Sequence, residues 1–126
     1  MPRILLSAIG VAVLAFVPLK ANAGELCGSS FITVNQAAAS VAKIDGIRQV
    51  RNDRDYLELK DEKGGVIWAF TKAQHFAHPA VFCRRIIQQG DRFHLEVNTL
   101  CSAAKDVCDR FAAALAAESK RVADPK

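Results

Sequence analysis

Apolar and polar residues alternate with a period of two from Tyr56 to Thr71. Leu57 and Leu59 are interleaved with Tyr56, Glu58 and Lys60, and Val66, Trp68 and Phe70 with Ile67, Ala69 and Thr71. Alternation of this kind is the signature of a half-buried strand, and Asp61-Glu62-Lys63-Gly64 between the two runs reads as the turn of a hairpin. Pairing Lys60 with Gly65 sets Leu59 against Val66 and Leu57 against Trp68, so one face becomes an apolar band with Trp68 at its centre. A second hairpin is expected from Val81–Gln88 and Arg92–Thr99 around Gln89-Gly90-Asp91, with Phe93, Leu95 and Val97 facing in and His94 and Glu96 facing out. Arg84 and Arg85 are adjacent and cannot both point away from the core, which predicts a sheet edge, a bulge, or an arginine stem laid along apolar neighbours.

The period changes to that of a helix after Ser102. Val107, Cys108, Phe111, Ala114 and Leu115 form one stripe of a helix running to about Ser119, with Ser102 as its cap. The alanine-rich stretch within Phe31–Ile44 predicts a shorter helix, ended by Asp45-Gly46 and followed by a strand over Ile47–Arg51. The expected fold is α+β: an antiparallel sheet of about four or five strands with the C-terminal helix packed on one face.

The remaining apolar run, Ile4 to Leu19, follows Arg3 and precedes Ala21-Asn22-Ala23. A basic start, an apolar core and a small-x-small end describe a cleavable export signal over residues 1–23. The run is too short and too interrupted for a membrane span of about 20 residues, so no membrane insertion is expected after cleavage. Residues 24–126 then form a single small domain in the periplasm or outside the cell. Loss of Arg3 and Lys20 lowers the net charge from +4 to +2, too weak a balance to predict nucleic acid as a partner.

Export also changes the meaning of the cysteines. Cys27, Cys83, Cys101 and Cys108 all follow the leader, and thiols pair in an oxidising compartment. Four cysteines allow three pairings. Cys83 faces position 97 or 98 in the second hairpin, which leaves Cys101 about 10 Å further along the strand. Cys101 can reach Cys108 if it lies just outside the helix. Cys27–Cys83 with Cys101–Cys108 is therefore preferred, and Cys27–Cys108 with Cys83–Cys101 is the competing arrangement.

Candidate chemistry is concentrated between the hairpins, where Thr71–Ala80 holds His75 and His78. A zinc site could use these two imidazoles, completed by His94, Asp91 or Glu96; the alternative is a connecting loop stiffened by Pro79. His75 with Asp91 could serve as a base and its orienter, but no nucleophile, base and oxyanion constellation is recognisable, and Ser29-Ser30 lack a nucleophile-elbow context. A non-catalytic protein without a bound cofactor is expected. Trp68–Ala80 resembles a Trp-x-Phe-Thr-x-x-x-His-Pro-Ala-His-Pro-Ala segment of small exported proteobacterial proteins of unassigned function, with Phe76 standing where that segment has proline. The resemblance spans 13 residues and implies an exported setting without assigning catalytic residues.

What remains is a disulfide-stabilised module that binds another envelope or secreted protein, of inhibitor or immunity type. Tyr56, Phe76, Arg84 and Arg85 are its candidate contact residues, being of the types favoured at interface hot spots. Binding of a metal or small ligand by the His75/His78 loop is the second reading.

Overall fold

The alternating segments pair in sequence order. In the computed structural model, which describes residues 24–123, five antiparallel strands form one sheet: β3 (Arg48–Asn52), β4 (Tyr56–Asp61), β5 (Val66–Thr71), β6 (Ala80–Gln89) and β7 (Arg92–Cys101), each beside its sequence neighbour. A two-stranded ribbon, β1 (Glu25–Leu26) and β2 (Ser29–Ser30), precedes helix α1 (Val34–Ala42), and helix α2 (Lys105–Ala123) ends the chain. The expected α+β class, an antiparallel sheet of five strands and the C-terminal helix are all present. The proposed export signal, residues 1–23, lies outside the described residues.

The first hairpin differs from the expected register by two residues. Asp61 pairs with Val66, Leu59 with Trp68 and Leu57 with Phe70. Asp61 is the last strand residue, not the first of the turn: its Oδ1 accepts the Gly64 N–H at 3.0 Å and its carbonyl accepts the Gly65 N–H at 2.9 Å. A shift of two residues returns every side chain to the same face, so the apolar band survives the correction. Trp68 lies at its centre, buried and edge-on to Phe31 with ring centroids 6.0 Å apart.

The second hairpin turns at Gly90-Asp91, with Gln89 paired to Arg92 and Cys83 to Asn98. Phe93, Leu95 and Val97 do share a face, but Phe93 does not face in: it is 66% exposed, as is Ile86 at 70%. β5 pairs with β6 no further than Arg85, so the end of this hairpin extends past the sheet and its apolar face lies uncovered.

Both sheet faces are buried. On one, Leu26 and the α1 residues Val34, Ala37 and Val41 pack on Val66, Trp68, Phe70, Val81 and Leu100. The i, i+3, i+7 spacing of those helix positions gives α1 a single apolar stripe. Thr33 caps it, accepting the Gln36 N–H at 3.0 Å while the Gln36 side chain accepts the Ile32 N–H. On the other face, Phe111 and Leu115 of α2 cover Ala69, Ala80 and Phe82. Ala114, expected on that stripe, is exposed.

The disulfides are Cys27–Cys83 and Cys101–Cys108, the preferred pairing. The first ties the N-terminal ribbon to β6. Cys27 and Gly28 form its two-residue turn, both with positive φ (49° and 88°), as the mirror-image hairpin turns require. A cysteine in that region costs about 1 kcal/mol; here the bridge and the hydrogen bond from its N–H to Asn98 Oδ1, at 2.8 Å, hold it. The second bridge joins the end of β7 to the first turn of α2. Ser102 is not the helix cap: its N–H donates to Pro79 O at 2.9 Å, and the first helical bond runs from the Cys108 N–H to Ala104 O. Two disulfides fit an oxidising, non-cytoplasmic environment, and among the described residues no helix is long and apolar enough to cross a membrane.

Candidate functional site

The loop between β5 and β6 is built by its own histidines and Thr71. His78 Nδ1 lies 2.9 Å from Thr71 O, an acceptor only, so this nitrogen carries the proton and donates it. Thr71 Oγ1 accepts the Ala80 N–H at 2.8 Å and donates to Ala80 O at 3.1 Å, pinning the return of the chain into β6 across the cis His78–Pro79 peptide. His75 turns the other way. Its Nδ1 accepts the Ala77 N–H at 3.0 Å, which leaves the ring proton on Nε2, 2.8 Å from Tyr56 Oη.

These bonds set the protonation of the loop. Burial pushes the His75 imidazole below the ordinary histidine value, the Asp55 carboxylate opposes this, and His78 adds to it. The hydrogen bond from Ala77 acts in the same direction as burial, because a protonated Nδ1 would set two donors against each other. Tyr56 is pushed up to about 12, mainly by burial and then by the charge of Glu118. Both rings are therefore neutral around pH 7.

Around them lies an aromatic cluster drawn from four elements. Tyr56 from β4 meets Phe82 from β6 with centroids 5.7 Å apart, Phe82 meets Phe111 from α2 at 6.2 Å, and His75 meets Phe111 at 5.4 Å. Phe76 closes the cluster, stacked on His75 at 4.8 Å and 23° and edge-on to Phe111 at 6.3 Å. Three guanidinium groups lie over these rings: Arg51 on Tyr56, Arg84 on Phe82 and Arg110 on Phe76, at 5.0, 5.5 and 5.4 Å from the ring centres. Arg51 and Arg84 share the carboxylate of Glu58 at 2.8 and 3.3 Å, and Glu58 is buried between them. Of the expected outcomes for the Arg84-Arg85 pair, the packed stem is the one found, on an interior strand.

Three of the four candidate contact residues, Tyr56, Phe76 and Arg84, thus belong to one surface. Arg85 does not. It points to the opposite face of the sheet, where its Nε donates to Glu96 at 2.5 Å and its guanidinium lies beside Gly28. Sequence reasoning missed Arg51, Phe82 and Arg110, and placed Phe111 only as a core position; nothing in local spacing connects residues 51, 76, 82 and 110.

The proposed ligand set is not brought together. His75 spends both ring nitrogens on Ala77 and Tyr56, and His78 spends one on Thr71. Asp91, His94 and Glu96 belong to the far part of the β6–β7 hairpin, with Asp91 at its tip some 30 Å of strand away from the loop. That distance also separates His75 from Asp91 as a base and its orienter. Among the described residues no three His, Cys, Asp or Glu side chains converge as a metal site would require, and all four cysteines are bridged.

Comparison with protein families, with characterised proteins and with solved structures finds no match.

Proposed function

We propose that this chain is a small exported protein that binds another envelope or secreted protein, as an inhibitor or immunity-type module, through the aromatic and arginine surface centred on Phe76. The observation that carries the reading is the state of Phe76: it is 55% exposed, yet its ring is held by His75, Phe111 and Arg110. An aromatic side chain fixed in the free protein loses little conformational entropy on binding, and aromatic and arginine residues dominate interface energetics. The setting is supported by the disulfides and by the apolar leader over residues 1–23. The Trp68–Ala80 stretch that resembles small exported proteobacterial proteins is the stretch that builds this loop.

The test compares oxidised wild-type protein with Phe76→Ala and Arg110→Ala as baits in envelope and culture-fluid extracts. A protein retained by the wild type and lost with Phe76→Ala, at unchanged circular dichroism, is the expected result. Retention that is indifferent to both substitutions, or no specific retention at all, overturns the proposal.

A further inference from the structure

The β6–β7 hairpin has a feature that the Phe76 surface does not use. Both strands are ten residues long, but β5 accompanies β6 only as far as Arg85. Ile86–Gln89 and Arg92–Leu95 therefore continue as a two-stranded ribbon. β7 is the edge of the sheet, and the Cys27 N–H that follows β1 is bound by the Asn98 side chain towards its C-terminal end. The stretch Arg92–Val97 presents an unpaired backbone edge. Edges of this kind are templates for pairing, normally blunted by charge, proline or a bulge. Here the register with β6 is regular throughout, and the ribbon carries exposed Ile86 and Phe93.

We propose that this edge pairs antiparallel with the same edge of a second copy, about a twofold axis at His94, so that the sheet continues across a homodimer. The sequence of the edge is self-complementary about that axis. Phe93 of one copy falls opposite Leu95 of the other, both on the α2 side, and Arg92 falls opposite Glu96 on the other side; the twofold axis makes each pair occur twice. Moving the axis to Phe93 sets Arg92 against His94, and moving it to Leu95 sets Arg92 against Asn98. The axis at Leu95 also keeps an apolar pair, Phe93 with Val97, and sets His94 against Glu96, but of the three axes the one at His94 alone gives Arg92 a carboxylate opposite it. Glu96 can accept from Arg85 of its own chain and from Arg92 of the second copy, since a carboxylate has two oxygens and about four acceptor sites. The proposal does not depend on the Phe76 reading, because that surface lies at the opposite end of β6.

Sedimentation equilibrium of the oxidised protein, recovered from cells expressing the full chain, tests it. The wild type is expected at twice its monomer mass at micromolar concentrations. Phe93→Lys should give a monomer with unchanged circular dichroism and melting temperature, since the side chain it replaces is mostly exposed. Arg92→Glu and Glu96→Lys should each raise Kd about tenfold or more, while an equimolar mixture of the two variants should form a mixed dimer, in which both charge pairs are complementary. Phe76→Ala should leave the dimer intact. A wild type that stays monomeric to several hundred micromolar, a dimer insensitive to Phe93→Lys, or one abolished by Phe76→Ala would each overturn the assignment.

Discussion

The two faces of the central sheet are buried by different means. Against one lie Leu26, α1 and a short ribbon, mostly aliphatic, around Trp68; the disulfide to Cys83 closes 56 residues of chain over it. Against the other lies a single helix whose buried contacts are Phe111 and Leu115, and that cover leaves a margin where Phe76, Arg110 and Arg51 reach solvent. The polar groups of the first face, the Arg85–Glu96 pair and Asn98, lie along β6 and β7 beside the ribbon. The second holds a carboxylate between two guanidiniums and a tyrosine bound to a histidine. The first face carries the longer covalent closure of the chain, and the second carries the exposed aromatic and arginine side chains.

Substitutions can sharpen or break this contrast. The largest loss is expected from removing Cys27–Cys83 by double serine replacement. Closing a loop of that length is worth about 4 kcal/mol in the chain-entropy model, comparable with the net stability of a small domain, so chemical denaturation should show a chain that is largely unfolded or barely folded. Phe111→Ala should follow, at about 3–5 kcal/mol for a buried aromatic. It should also loosen Phe76 and His75, which lose a ring neighbour, so that face-specific spectroscopic changes exceed those from an equal destabilisation on the α1 side.

Acid has a smaller effect and a defined sign. His75 is held below its ordinary value in the fold, so the unfolded chain binds more protons at and below pH 6.5, and stability falls as pH drops through that range. Melting temperature against pH should show this slope in the wild type and a shallower one in His75→Gln. The least effect on stability is expected from Phe76→Ala, within about 0.5 kcal/mol as for other exposed positions, although partner retention should be lost. A large destabilisation there would assign Phe76 to the core and remove the contrast.

The two hairpins and the faces of their strands were legible because alternation survives any even shift in register, as the Leu59–Trp68 pair shows; the order of the strands in the sheet and the short β1–β2 ribbon left no such pattern. The turn itself was misjudged, since a carboxylate that closes a turn from the last strand position looks the same in sequence as one inside it. Alternation also assigned Phe93 to the correct face. It could not say that β5 stops short of the end of the hairpin. Ser102 resembled a cap because serine at such a position often is one, whereas its backbone is taken by Pro79 from another element. The aromatic cluster joins residues 56, 75, 76, 82 and 111, and proximity of that kind is created by packing, not by spacing.

The connectivity of the bridges has a consequence for how the chain is made. Each disulfide joins cysteines that are next to each other in order of appearance: Cys27 with Cys83, then Cys101 with Cys108. For a polypeptide threaded N-terminus first into an oxidising compartment, an oxidase that couples thiols as they emerge arrives at the native pairing directly. In that order of coupling no wrongly formed bond has to be opened.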